Sequence, residues 1–78
     1  MQKGFFMEIG KKIRELRMWK GLTQEELADR SELSKGFISQ LENDVTSPSI
    51  ATLVDVLTCL GTDLKTFFGE EQDNQVLL

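Results

Sequence analysis

The polar side chains between Thr23 and Asn43, in the stretch TQEELADRSELSKGFISQLEN, can form hydrogen bonds but are poorly suited to making or breaking covalent ones. Gln24, Ser34, Lys35, Ser39, Gln40 and Asn43 offer amide, hydroxyl and ammonium groups to an outside partner. The chain has no histidine and one cysteine, so neither a zinc site nor a Cys–His catalytic pair can be assembled. Serines and carboxylates are plentiful. Without histidine or a phosphate-cradling glycine loop, none of them reads as an activated nucleophile. The expectation is a binding protein, not an enzyme, and no cofactor is called for.

Two short helices must carry these groups, joined by a tight break at Ser31-Glu32-Leu33. Thr23 and Glu26 have the S/T-x-x-E/Q spacing of a capping box, and Ser34 can cap the second helix. Helices this short do not stand alone in water, so the rest of the chain must supply a core. A preceding helix is predicted over about 8–20, with Ile9, Ile13 and Leu16 on one stripe and Gly21 as its stop. Met18 and Trp19 lie off that stripe, placed to flank the core or to join an interface. The pair itself offers Leu27 and Ala28, then Phe37 or Ile38 and Leu41, to the inside. Ser47-Pro48 reads as an N-cap followed by proline at the first position of a fourth helix. That helix carries Ile50, Leu53, Val54, Val56, Leu57 and Leu60, apolar over more than half its surface, and Gly61 ends it. Asp63 can cap a last short helix, 64–68, closed by Gly69.

The architecture expected is all-α, a compact bundle of five short helices. Its boundaries are a domain over 1–69 and an acidic tail or linker over 70–78. Seventy-eight residues make one domain, and 40% apolar with 28% charged residues argues against wholesale disorder. Cys59 falls in an apolar stripe and is expected to be a buried core thiol. No apolar run approaches a membrane span and no signal peptide opens the chain, so a cytoplasmic protein is expected. The net charge of −4 is the wrong sign for a simple nucleic-acid binder. It is unevenly spread: residues 1–42 hold eight Lys/Arg against seven Asp/Glu, whereas 43–78 hold one lysine against six acids. The first half could therefore meet a nucleic acid.

Five segments, IRELR (13–17), GLTQEELA (21–28), LSKGFISQLEN (33–43), SPSIATL (47–53) and LGTDLKTFF (60–68), carry a resemblance in order and spacing. Together they resemble a helix-turn-helix domain of the Cro and phage-repressor type, also called the xenobiotic-response-element type. The wording is most similar to regulators with a C-terminal cupin sensor. The resemblance implies a lambda-repressor-like DNA-binding domain whose helix-turn-helix is helices two and three. The second helix of such a pair lies in the major groove and the first crosses the phosphate backbone. Lys35, Gly36, Ser39 and Gln40 would then face base edges, lysine donating to guanine and glutamine pairing with adenine. Gln24, Ser34, Asn43 and Thr46 would anchor phosphates, which position without reading sequence. Arg17 is implied to pair with Glu42.

Two departures stand out. Glu32 occupies the turn position usually filled by glycine, at a cost on the order of 1 kcal/mol if its φ is positive. Lys35 is the only cation sure to lie on the DNA side, with Arg14, Lys20 and Arg30 left open, so affinity per subunit should be weak. The partner expected is double-stranded DNA, bound as a homodimer on a palindrome, with Trp19, Phe68, Val76 and Leu77 as candidates for the joining surface. A sensor domain beyond the acidic tail is implied by the same resemblance. The alternative is a protein–protein interaction module on the same scaffold.

Overall fold

Each of the first four helices stops by the same backbone device, and that repetition shapes the domain. The computed structural model describes residues 9–72, as helices α1 (Ile9–Trp19), α2 (Gln24–Ser31), α3 (Lys35–Glu42), α4 (Ile50–Cys59) and α5 (Leu64–Gln72). No strand occurs among the described residues. After α1, Gly21 has φ +73, its N–H donates to Met18 O, and Leu22 N–H reaches Arg17 O, both at 3.0 Å. This is the Schellman ending, in which a left-handed residue turns the chain and satisfies two orphan carbonyls. Gly61 (φ +82) does the same after α4. Glu32 (φ 60) and Asp44 (φ 59) take the glycine's place after α2 and α3, with Leu33 N–H on Ala28 O at 2.8 Å and Val45 N–H on Gln40 O at 2.9 Å.

The starts are set by side chains. Thr23 and Glu26 close a reciprocal capping box at α2, and Ser34 Oγ accepts from Phe37 N–H at 3.0 Å at α3. Asp63 Oδ1 accepts from Thr66 N–H at 2.8 Å at α5, and this bond holds the Asp63 carboxyl below its ordinary pKa of 3.8.

Between those caps the helices bury Ile13, Leu27, Ala28, Ile38, Leu41, Leu53, Val56, Leu57, Leu60 and Phe67, none more than 4% exposed. Every helix contributes to this core. Lys12 ties α1 to α5: its Nζ donates to Phe67 O at 2.5 Å and lies 4.6 Å from the Phe67 ring centroid.

Four expectations need correction. The cap of α4 is Ser49, not Ser47, because Ser49 Oγ takes the Thr52 N–H at 3.1 Å and holds its own backbone extended. Pro48 consequently lies before the helix. Secondly, α4 is one-sided: Leu53, Val56 and Leu57 face inward, while Ile50 is 67% and Val54 39% exposed one turn apart on the outside. Thirdly, α5 runs through Gly69 to Gln72. Gly69 is not among the positive-φ residues, and glycine inside a helix costs only about 1 kcal/mol, too little to stop one by itself. Fourthly, Cys59 is half-buried at the rim of the core, its Sγ–H on Arg30 O at 3.2 Å.

Candidate nucleic-acid interface

Helix α3 separates its residues by what they touch. Ile38 and Leu41 are buried, and Phe37 packs against the core from a half-buried position. Lys35, Gly36 and Gln40 are exposed, and Ser39 is half-buried beside them. A Cβ built on Gly36 would meet nothing nearer than Ser34 Oγ at 4.0 Å. The open space at Gly36 therefore faces outward; no other helix approaches it. The result is a shallow polar strip with one lysine and one amide, low enough to enter a groove.

Around the strip, the expected anchors are distributed as follows. Ser34 is exposed; its oxygen caps α3, which leaves the hydroxyl hydrogen available to donate outward. Asn43 is exposed and its Nδ2 donates to Ser39 O at 2.9 Å, holding the end of α3. Thr46 is half-buried in the loop that follows. Gln24, also half-buried, is the first residue of α2. Its N–H and that of Glu25 belong to the first turn, where no intrahelical acceptor exists and the helix end is partly positive.

The deepest polar group is Glu42. Its side chain is 2% exposed and that of Arg17 12%. Arg17 Nε donates to Oε2 at 2.6 Å and Nη2 to Oε1 at 3.0 Å, a two-point fork, while Nη1 donates to Leu22 O at 2.8 Å. Gln24 Nε2 adds a third donor to the carboxylate, on Oε1 at 3.1 Å. The ion pair thus joins α1 to α3, and the glutamine joins both to α2. Buried pairs of this kind add little net stability over apolar packing, but removing one partner strands the other charge at a cost of about 3–5 kcal/mol.

Of the other expected residues, Trp19 is 83% exposed on the rim of an open recess of about 230 Å³ between α1 and α5. Phe68 is 36% exposed and meets Phe67 edge to face at 5.0 Å. Val76 and Leu77 lie outside the described residues. Arg14, Lys20 and Arg30 are exposed.

Sequence reasoning missed three features: the Gln24–Glu42 bond, the left-handed Asp44, and Gly10. A Cβ on Gly10 would lie 2.5 Å from Leu41 O and 2.6 Å from Glu42 O. The glycine lets the start of α1 press against the last carbonyls of α3. A lone glycine inside a helical stripe was the signal available for it.

A family model described as helix-turn-helix matches residues 13–67. The chain belongs to the helix-turn-helix family of the Cro and C1 repressor type. Among its relatives, the immunity repressor protein of Bacillus phage phi105 is 35% identical over 65 residues, 83% of this chain and 45% of the repressor. The transcriptional regulator PuuR of Escherichia coli K12 is 40% identical over 63 residues, 81% of this chain and 34% of PuuR. The chain thus spans less than half the length of these two relatives. The crystal structure of SinR, a master regulator for biofilm formation, in complex with DNA superimposes with a TM-score of 0.71 at 33% identity, over 77% of this chain and 97% of the crystallised SinR chain. The all-α, lambda-repressor-like arrangement is thereby the family's, with α2 and α3 as its helix-turn-helix.

Proposed function

We propose that this domain binds double-stranded DNA as a transcriptional regulator, with α3 in the major groove. The observation that carries the reading is the two-sidedness of α3: Ile38 is wholly buried, while Lys35, Gly36 and Gln40 stand exposed on the other side. In this reading Lys35 donates to guanine, Gln40 pairs with adenine and Ser39 contacts a neighbouring base edge. Gly36 lets the helix approach closely. Gln24, Ser34, Asn43 and Thr46 hold phosphates on either side. Likeness to a protein crystallised on DNA and to a phage repressor supports it.

With so few cations on the strip, one copy binds weakly, and a homodimer on a palindrome supplies the missing affinity. Trp19 and Phe68 remain the proposed joining surface, and the acidic tail from residue 70, whose first three residues continue α5, is the proposed linker toward a sensor domain. Among the described residues no helix is long and apolar enough to cross a membrane.

A second reading, a protein-binding module on the same scaffold, draws on the net charge of −4 and on Glu32 beside α3. Titration of a labelled duplex, followed by anisotropy at two salt concentrations, separates the two. DNA binding that weakens with salt and drops in Lys35→Glu and Gln40→Ala supports the first. No binding at low salt, or binding indifferent to both variants, leaves the second.

A further inference from the structure

We propose that Glu42 is a positioning residue for DNA binding, holding the side-chain amide of Gln24 so that one of its N–H groups is directed at a phosphate. This rests on the reading of Gln24 as a phosphate ligand given above. An exposed glutamine samples many rotamers, and its amide can turn over to present either oxygen or nitrogen. Glu42 removes both freedoms. A carboxylate only accepts, so the amide must offer it Nε2, not Oε1. One hydrogen of Nε2 is used at 3.1 Å on Glu42 Oε1, and the second remains for an acceptor outside. A phosphate oxygen then meets a donor whose ordering was settled when the protein folded.

The carboxylate is itself immobilised. Arg17 grips both its oxygens and is anchored through Nη1 on Leu22 O, two residues before Gln24. The bonds run from the entry of α2 through Arg17 and Glu42 back to the first residue of α2. Because Glu42 is the last residue of α3, the phosphate ligand and the reading helix share one rigid reference. The effect opposes simple electrostatics: a buried acid near a phosphate repels it, so neutralising Glu42 would strengthen binding if charge were its only influence.

The test is a double-mutant cycle with the full chain and a mixed-sequence duplex at low salt, using Glu42→Gln, Gln24→Met and the double variant, with folding verified by circular dichroism. Gln24→Met should weaken binding about tenfold, as expected for a lost bond to a charged acceptor. Glu42→Gln should weaken it comparably, and the double variant should be no weaker than Gln24→Met alone. Equal losses from Glu42→Gln in both backgrounds, or tighter binding, would overturn the positioning role while leaving DNA binding intact. A wild type that binds no duplex would overturn both. Relaxation of the Gln24 side-chain amide in the free wild type keeps the question open to measurement even if Glu42→Gln unfolds. Order already present without DNA supports the proposal, and order gained only on the duplex refutes it.

Discussion

The backbone N–H of Gly10 donates to Asp44 Oδ1 at 3.1 Å, across 34 residues of sequence. Asp44 thereby does at the start of α1 what an N-cap residue does for its own helix, and it does so from the left-handed turn that ends α3. The start of α1, the end of α3 and the loop beyond it are one joint. Helix α3 is held there at its C-terminal end, and again by the Arg17–Glu42 fork at its last residue, just before the cap Asn43.

Gly10→Ala should destabilise the domain, although alanine is the better helix former by about 1 kcal/mol. The new methyl would fall within 2.6 Å of two carbonyl oxygens, which are backbone and cannot turn aside. A loss of about 1–3 kcal/mol is expected, seen as a lower urea midpoint. An unchanged or higher midpoint would mean that α1 and α3 are not in such contact.

Glu32 and Asp44 share a backbone conformation but should respond oppositely to glycine. Glu32→Gly relieves an exposed left-handed residue and should stabilise by up to about 1 kcal/mol. Asp44→Gly brings the same relief but deletes the cap on Gly10, and should come out neutral or destabilising. Chemical denaturation of the two variants side by side decides it.

The two faces of α4 separate just as cleanly. Leu53→Ala should cost about 2–5 kcal/mol, since Leu53 is 4% exposed within the core. Ile50→Ala, at a position 67% exposed, should change stability by less than about 0.5 kcal/mol. Thermal melts of both would show at once whether the helix faces the way described.

Asp63 sets an acid limit on the last helix. Its carboxyl pKa is lowered chiefly by the Thr66 backbone N–H, so the folded form prefers it ionised. A depressed folded value means stabilisation that is complete above the ordinary value of 3.8 and disappears as pH falls through the lower folded value. The Thr66 amide resonance should titrate there in the wild type and lose that step in Asp63→Asn, whose side chain can still cap.

Much of this was legible in the chain itself. The starts of α2 and α3, the capping box, the stops at Gly21 and Gly61 and the inward Leu27, Ala28 and Leu41 follow from local spacing, because each depends on neighbours within four residues. Spacing left Phe37 and Ile38 as alternatives, and packing buries Ile38. What escaped depends on contacts between distant segments. Gly10 and Asp44 meet only because α1 crosses the end of α3, and Gln24 reaches Glu42 only once three helices have assembled. At α4 two serines flank Pro48, and either could cap; the choice of Ser49 turns Ile50 and Val54 outward. Gly69 failed as a stop because nothing there demands a positive φ.

The claim that α3 reads DNA sequence is tested most directly by selecting bound duplexes from a random pool, once with the wild type and once with Gln40→Ala. The expected outcome is an enriched half-site, repeated with inverted symmetry at roughly one helical turn, about 10–10.5 base pairs centre to centre. The preference at a single adenine should relax in the variant while the rest of the site persists. Recovery of no common sequence by the wild type, or of the same sequence at every position by both proteins, would contradict it.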